Sequence, residues 1–255
     1  MDAETDKKRV RNFVKERYGE IAQTGGSCCP SCGSCQDFLE IGKKIGYSEE
    51  ELRSVPETAN MGLGCGNPVA LASLKEGETV LDLGSGGGID VFFAAKRAGP
   101  TGKVIGVDMT EAMVERAKKN AAKWGYENVE FRIGEIEKLP VDDAAVDVII
   151  SNCVINLAPD KDKVFREAYR VLKSGGRLMI SDLVTEGKLP MEVRKSFDAW
   201  AHCIGGALEK QQYIECIKKA GFDDAWIVSE DSYDIDVSED LKGKITSIHV
   251  EAHKE

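Results

Sequence analysis

Thr79-Val80-Leu81-Asp82-Leu83-Gly84-Ser85-Gly86-Gly87-Gly88 is the stretch whose reading decides the fold. Its β-branched, apolar opening reads as a buried strand. The strand breaks into small residues that let the backbone turn sharply and approach a ligand closely. A helical run follows from Ile89 through Phe92, Phe93 and Ala94 to Ala98, and stops at Gly99-Pro100. Strand, glycine turn and helix in this order build a nucleotide cradle at the carboxyl edge of an open α/β sheet. A dinucleotide fingerprint would need a further glycine where Ile89 stands. Asp82 sits just ahead of the turn, where its carboxylate would repel a pyrophosphate and suit an ammonium or sulfonium group.

Working outward, the α/β alternation is regular. Lys103-Val104-Ile105-Gly106-Val107-Asp108 is a second strand ending in an acid, about where an acidic residue binds ribose hydroxyls in nucleotide folds. Thr110 is placed to cap the next helix, whose inner stripe is Met113, Ala117 and Ala121. Val129 to Ile133 is a third strand running into Gly134-Glu135-Ile136, and Val146 to Ser151 is a fourth. A helix with Val164, Phe165, Ala168, Tyr169 and Leu172 ends at Ser174-Gly175-Gly176, and a fifth strand runs from Arg177 to Asp182. This repeat predicts a parallel sheet with right-handed crossovers. Met191 to Ala207 reads as helical with an interruption at Trp200 to Gly206. A helix around Tyr213 to Ala220 follows, and strands near 225–229 and 245–251 complete the sheet as an antiparallel edge pair. At the other end, Val10, Phe13, Val14 and Tyr18 mark an amphipathic helix over residues 4–18, and residues 36–55 read as one or two short helices.

At 255 residues with a net charge of −10, the chain can hold one α/β domain with additions. The acidic field excludes nucleic acid and anionic membranes as expected partners. No run has the apolar length of a membrane span, and Met1-Asp2-Ala3-Glu4-Thr5-Asp6 is too charged for a signal peptide, so a cytoplasmic protein is expected. In that reducing setting the eight cysteines are ligands or redox groups rather than permanent crosslinks. With only three histidines, a His-rich metal site is not expected.

Four thiols crowd into Cys28-Cys29-Pro30-Ser31-Cys32-Gly33-Ser34-Cys35. Cys29, Cys32 and Cys35 match the start of an iron–sulfur ligand run, but Leu39 stands where its fourth cysteine belongs. A zinc site would need two separated pairs. Thiols that capture a soft ion or exchange disulfides are the better reading of this Gly/Ser/Pro-rich loop. Cys65 lies between glycines in Leu63-Gly64-Cys65-Gly66-Asn67-Pro68, where a flexible backbone would let its thiolate reach a ligand. Cys153 and Cys203 taken singly would be small buried hydrophobes, and Cys216 has no assigned role.

The glycine turn, Asp108 and Arg170-Val171-Leu172-Lys173-Ser174-Gly175-Gly176 together resemble the core of the class I S-adenosylmethionine (SAM) methyltransferases over about residues 68–185. That resemblance implies a Rossmann-like, seven-stranded, mostly parallel sheet with an antiparallel edge strand and helices on both faces. It implies that Gly84, Ser85 and Gly86 face the methionine part of SAM, with Asp82, Asp90, Met109 and Asn152 nearby. Asp108 would bind ribose, and Glu135 with Ile136 would bind adenine. The expected division is N-terminal helices and cysteine-rich loops over 1–67, the SAM-binding core over 68–185, and C-terminal additions over 186–255 carrying an arsenic-binding loop.

The words around three cysteines carry the resemblance further. Leu63 to Pro68, Ser151-Asn152-Cys153-Val154-Ile155-Asn156-Leu157 and Cys203-Ile204-Gly205-Gly206-Ala207-Leu208 resemble the arsenite methyltransferases across almost the whole chain. The resemblance implies that Cys65, Cys153 and Cys203 bind arsenite or its thiol conjugates. It also implies a thiol reductant of thioredoxin or glutathione type, and a monomer is expected. Trivalent arsenic is soft and prefers thiolates. Three cysteines from three loops can hold it as a pyramid with its lone pair free to attack the sulfonium methyl, without a general base. Positioning of this kind is worth effective molarities of ~10⁵ M or more. The accessory thiols Cys28, Cys29, Cys32 and Cys35 would pass arsenite inward or act as a redox relay. Two other readings stay open at this stage: methylation of a small organic substrate such as a quinone precursor, and a non-catalytic thiol protein that binds a metalloid or zinc.

Overall fold

The computed structural model describes residues 3–24, 38–222, 224–232, 241 and 243–255. Helix α1 (Ala3–Thr24) is followed by the short helices α2 (Phe38–Lys44), α3 (Glu49–Arg53) and α4 (Pro68–Leu71). The sheet then begins with β1 (Thr79–Leu83), α5 (Ile89–Ala98), β2 (Lys103–Asp108), α6 (Glu111–Trp124), β3 (Val129–Ile133) and β4 (Val146–Asn152). Helix α7 (Lys161–Val171) leads into the long β5 (Leu172–Thr185), and α8 (Met191–Lys195), α9 (Phe197–Ala201) and α10 (Lys210–Lys219) precede β6 (Trp226–Ser232) and β7 (Ile245–His253).

The seven strands lie in the order β3-β2-β1-β4-β5-β7-β6. Strands β1 to β5 pair in parallel, while β7 runs antiparallel to both β5 and β6. The predicted Rossmann-like sheet with an antiparallel pair at its edge is therefore present. Both faces are covered, which is why the inner strands read as continuous apolar runs rather than alternating ones. In β1, Val80 packs into a cluster with Val91, Phe92, Phe93 and Val148, whereas Leu81 and Leu83 pack into the opposite one with Phe165, Ala168, Tyr213 and Phe222. Phe92, Phe165, Phe222 and Tyr213 are fully buried. Truncating such an aromatic to alanine typically costs about 3–5 kcal/mol.

Local chemistry sets the element ends. Ser48 and Glu51 form a reciprocal capping box at the start of α3. Asn67 accepts from the Ala70 amide and caps α4, while Asp160 caps α7. Thr110 does occupy the cap position of α6, but its side chain does not cap. Instead its amide donates to Asp108 Oδ1 at 2.8 Å. Helix α1 runs past its foretold end at residue 18 because Ile21 and Ala22 bury against Met61 and Met113, and ion pairs hold its first half. Lys7 meets Asp160 at 2.9 Å, and Arg11 meets Glu137 at 2.8 Å. Arg116 also donates to the Ala22 carbonyl at 2.9 Å. The predicted helix from Met191 to Ala207 is two short helices, and the chain leaves α9 through a turn in which Cys203 takes φ +62°. No helix among the described residues is long and apolar enough to cross a membrane.

Candidate active site

A cleft of about 1070 Å³, counting its open mouth, lies at the carboxyl edge of β1, β2 and β4. This is where ligands bind in open α/β sheets. Of the residues expected to bind cofactor, Asp82, Gly84, Ser85, Gly86, Asp90, Asp108, Met109, Ile136 and Asn152 line it. Glu135 does not. Its exposed carboxylate reaches Arg11 at 3.5 Å, and Glu137 lines the cleft instead. Arg11, Val14 and Tyr18 of α1 also line the cleft, so the amphipathic N-terminal helix packs over the expected ligand position.

Electrostatics favour a cationic ligand. Asp82 and Asp90 are buried, and Asp108 is partly so. Burial, followed by the neighbouring charges of Asp90 and Asp108, holds the Asp82 carboxyl well above its ordinary range. Burial raises Asp90 to about 6 against the opposing hydrogen bonds from Tyr47 and Asn152. Burial also raises Asp108, although it accepts from the Gly86 amide at 3.0 Å and the Thr110 amide at 2.8 Å. Three carboxylates facing one cavity would repel a phosphate. The cradle itself has room: a Cβ built on Gly86, at φ +50°, meets nothing within 4 Å. The buried Ser85 hydroxyl lines the same space without a hydrogen-bond partner. An orphaned donor, an open glycine turn and an acidic wall fit the sulfonium, ammonium and hydroxyl groups of SAM.

Asn152, the last residue of β4, connects this cleft to the thiols. Its Nδ2 donates to Asp90 Oδ2 at 3.1 Å, to the Tyr47 hydroxyl at 3.2 Å and to the Gly66 carbonyl at 2.8 Å. Its Oδ1 accepts from the Cys65 amide at 3.0 Å. Tyr47 in turn donates to Asp90 Oδ1 at 2.5 Å. Sequence reading missed Tyr47, which precedes a helix cap and carries no local signal of a site.

Cys65, Cys153 and Cys203 are all buried and share one apolar cluster with Val14, Leu157, Leu183, Leu189 and Ile204. Cys153 also lines the cofactor cleft. The Cys203 thiol donates to the Cys153 carbonyl at 2.8 Å. Cys153 and Cys203 adopt φ +58° and +62°, a left-handed conformation uncommon for a residue with a Cβ. Such strain persists only where the surroundings impose it, and it concentrates at functional sites. The Cys153 thiol is pushed well above the ordinary thiol range, first by the Cys203 and Cys65 thiols and then by burial. Burial likewise raises Cys65. Both are therefore thiols, not thiolates, at neutral pH.

The glycines beside Cys65 serve close approach rather than the flexibility expected of them. A Cβ on Gly64 would lie 2.7 Å from Asn152 Nδ2, and one on Gly66 would collide with His249 Cε1. The loop is pinned, with the Ser247 hydroxyl donating to the Cys65 carbonyl at 3.0 Å. A second unforeseen residue is Asp182 on β5. Its carboxylate and the sulfurs of Cys65 and Cys153 offer ligand atoms that all lie within 4.8 Å of one another. An acid inside the apolar run Leu178 to Val184 was the available signal. Cys28, Cys29, Cys32 and Cys35 lie outside the described residues.

Comparison with known proteins agrees with this geometry. Residues 74–221 match the family described as "Methyltransferase domain". The arsenite methyltransferase of Halobacterium salinarum is 44% identical over 269 residues, covering 100% of this chain and 69% of its own length. That of Homo sapiens is 40% identical over 223 residues, covering 84% of this chain, which spans only 58% of the human protein's length. Among solved structures, CrArsM, an arsenic(III) SAM methyltransferase from Chlamydomonas reinhardtii, superposes with a TM-score of 0.69 at 35% identity over 87% of this chain and 75% of that one. With a relative 44% identical over the whole chain and the fold of a solved arsenic(III) methyltransferase, the chain belongs to the arsenite methyltransferase family.

Proposed function

We propose that this chain transfers a methyl group from SAM to trivalent arsenic held by Cys65, Cys153 and Cys203. The observation that carries the reading is the position of Cys153, which lies in the thiol cluster and also lines the acidic cleft. When bound, SAM supplies an electrophilic sulfonium methyl group for the arsenic lone pair. Asp82 and Asp90 would hold its positive charges, Ser85 and the Gly86 turn its methionine portion, Asp108 its ribose hydroxyls, and Met109 and Ile136 its base.

Protonated thiols suit arsenite capture. As each arsenic–sulfur bond forms, an arsenic–oxygen bond breaks and the departing hydroxide takes the thiol proton, leaving as water. The exchange releases no net proton, so the buried site needs no base. The pinned Cys65 loop and the left-handed turns at Cys153 and Cys203 fix three sulfur positions in advance, and rate gain by positioning of this kind can reach ~10⁵ M in effective molarity. Methylation formally oxidises arsenic, so a thiol reductant of thioredoxin or glutathione type completes the cycle, and Cys28, Cys29, Cys32 and Cys35 would relay arsenite or electrons. A working monomer with residues 68–185 as the SAM-binding core accords with this reading.

The test is incubation with labelled SAM, arsenite and a thiol, followed by speciation of arsenic. Methylated arsenic is expected from the wild type and none from Cys153→Ser or Cys203→Ser. Label transfer that is indifferent to arsenite and to both substitutions would overturn the reading.

A further inference from the structure

Methyl transfer to arsenic calls for three sulfurs, yet the deepest ligand group in the described residues is two sulfurs and an oxygen. Cys65, Cys153 and Asp182 converge within 4.8 Å, whereas Cys203 is outside that group and spends its thiol on the Cys153 carbonyl. Asp182 is completely buried. Hydrogen bonds from Leu183, Tyr213 and Asn156 and the charge of Lys161 sustain a carboxylate in such a place beside the two sulfurs. We propose that Cys65, Cys153 and Asp182 form a second-use site for a divalent thiophilic cation, Zn²⁺ or Cd²⁺, whose binding excludes arsenite.

The donor chemistry separates the two occupants. As(III) keeps a lone pair and favours sulfur, so Asp182 adds little for it. Zn²⁺ takes mixed thiolate and carboxylate sets in a tetrahedron, with Zn–S near 2.3 Å and Zn–O near 2.0–2.2 Å. Those bond lengths put ligand atoms roughly 3.6–3.8 Å apart, a spacing that falls within the 4.8 Å that encloses the three atoms. Cys153 also lines the cleft, so a fourth ligand would be solvent from that side.

Asp182 is already oriented as a ligand should be. Oδ1 accepts from the Leu183 amide at 2.9 Å, while Oδ2 accepts from the Tyr213 hydroxyl at 3.0 Å and the Asn156 amide at 3.2 Å. Outer hydrogen bonds of this kind fix a metal-ligating carboxylate and sustain its affinity. Three donors leave lone-pair capacity on the carboxylate for an ion. The buried Lys161 ammonium, held by the Ala158 carbonyl at 3.1 Å, acts on Asp182 as a compensating positive charge. Binding the cation would release the two thiol protons to solvent, and two thiolates, one carboxylate and one divalent cation then leave a single negative charge, which Lys161 offsets.

The experiment titrates Zn²⁺ into the full chain carrying serine at 28, 29, 32 and 35, against a chromophoric chelator, with arsenite affinity measured in parallel. On that background Asp182→Asn is expected to weaken Zn²⁺ about tenfold or more while changing arsenite affinity less than about threefold. Cys203→Ser is expected to do the reverse, and Zn²⁺ is expected to inhibit arsenite binding competitively. No Zn²⁺ binding on this background, or equal Zn²⁺ affinity in Asp182→Asn, would overturn the proposal. Zinc-edge X-ray absorption keeps the test independent of that variant's folding. Two sulfur neighbours with oxygen neighbours support the site, and an all-sulfur shell rejects it. The competition arm rests on the arsenic reading, but the binding arm does not. A chain that binds Zn²⁺ through Asp182 without methylating arsenite would sink only the proposed function.

Discussion

Asn152 Oδ1 accepts the Cys65 amide hydrogen at 3.0 Å, while the same side chain donates to the Asp90 carboxylate at 3.1 Å. One amide therefore bridges the wall of the cofactor cleft and the loop of the first thiol. Any ligand that orders one side orders the other, and such coupling is reciprocal in binding free energy.

Asn152→Ala is expected to weaken SAM binding about tenfold or more, because Asp90 and the Cys65 amide each lose a buried partner, a loss of about 1–3 kcal/mol. It should also abolish any dependence of SAM affinity on arsenite. Calorimetric titration of SAM with and without arsenite checks both. An unchanged coupling in the variant would show that the two sites communicate by another route.

SAM affinity should depend on pH through Asp90. Its carboxyl, raised to about 6 by burial, is ionised above that pH and protonated below it. A cationic ligand gains from the ionised form, so affinity is highest above pH 6 and falls as pH drops through it. The limiting slope is about tenfold per pH unit when one proton is displaced. Tyr47→Phe removes a hydrogen bond that favours the ionised carboxylate, and should move the midpoint to higher pH. Titrations near pH 6 in buffers of different ionisation enthalpy will register the displaced proton. A pH-independent affinity between 5 and 7 would exclude Asp90 as the charge that is felt.

Gly66→Ala tests the pinned loop. The added Cβ would collide with His249 Cε1 and meet Ser181 Oγ at 2.8 Å, in a buried contact that has little slack. Overpacking of this kind typically costs about 1–3 kcal/mol. Thermal unfolding should show that loss, and arsenite affinity should fall more than SAM affinity because the displacement centres on Cys65. Equal arsenite affinity would mean that the loop is adaptable.

The alternation of apolar runs and glycine turns was legible because both faces of a parallel sheet are buried, which leaves a strong periodic signature in Val80 to Leu83, Val104 to Val107 and Val146 to Ile150. In the segment from Met191 to Ala207 the interruption at Trp200 to Gly206 was legible, but the earlier break at Ser196 and the left-handed turn at Cys203, whose thiol reaches the Cys153 carbonyl across the chain, were not. Glu135 illustrates the same limit. Glu137, two residues further on, lines the cleft and pairs with Arg11 at 2.8 Å, while Glu135 lies outside the lining and reaches the same arginine only at 3.5 Å.

The sequence by itself determined the sheet, the open glycine turn, the acid that suits a sulfonium and the three cysteine segments, because each is written in residues adjacent along the chain. Only the tertiary structure decided which side chains meet. Pairing Asn152 with Ser181 across β4 and β5 sets Cys153 beside Asp182, and the returning loop brings Cys65 against both. A register shift of one residue would turn those side chains to the opposite face. Register is fixed by the packing of the whole sheet, so the approach of Asp182 to the two sulfurs, the part played by Tyr47 and the strained turns of Cys153 and Cys203 become visible only when the chain is folded.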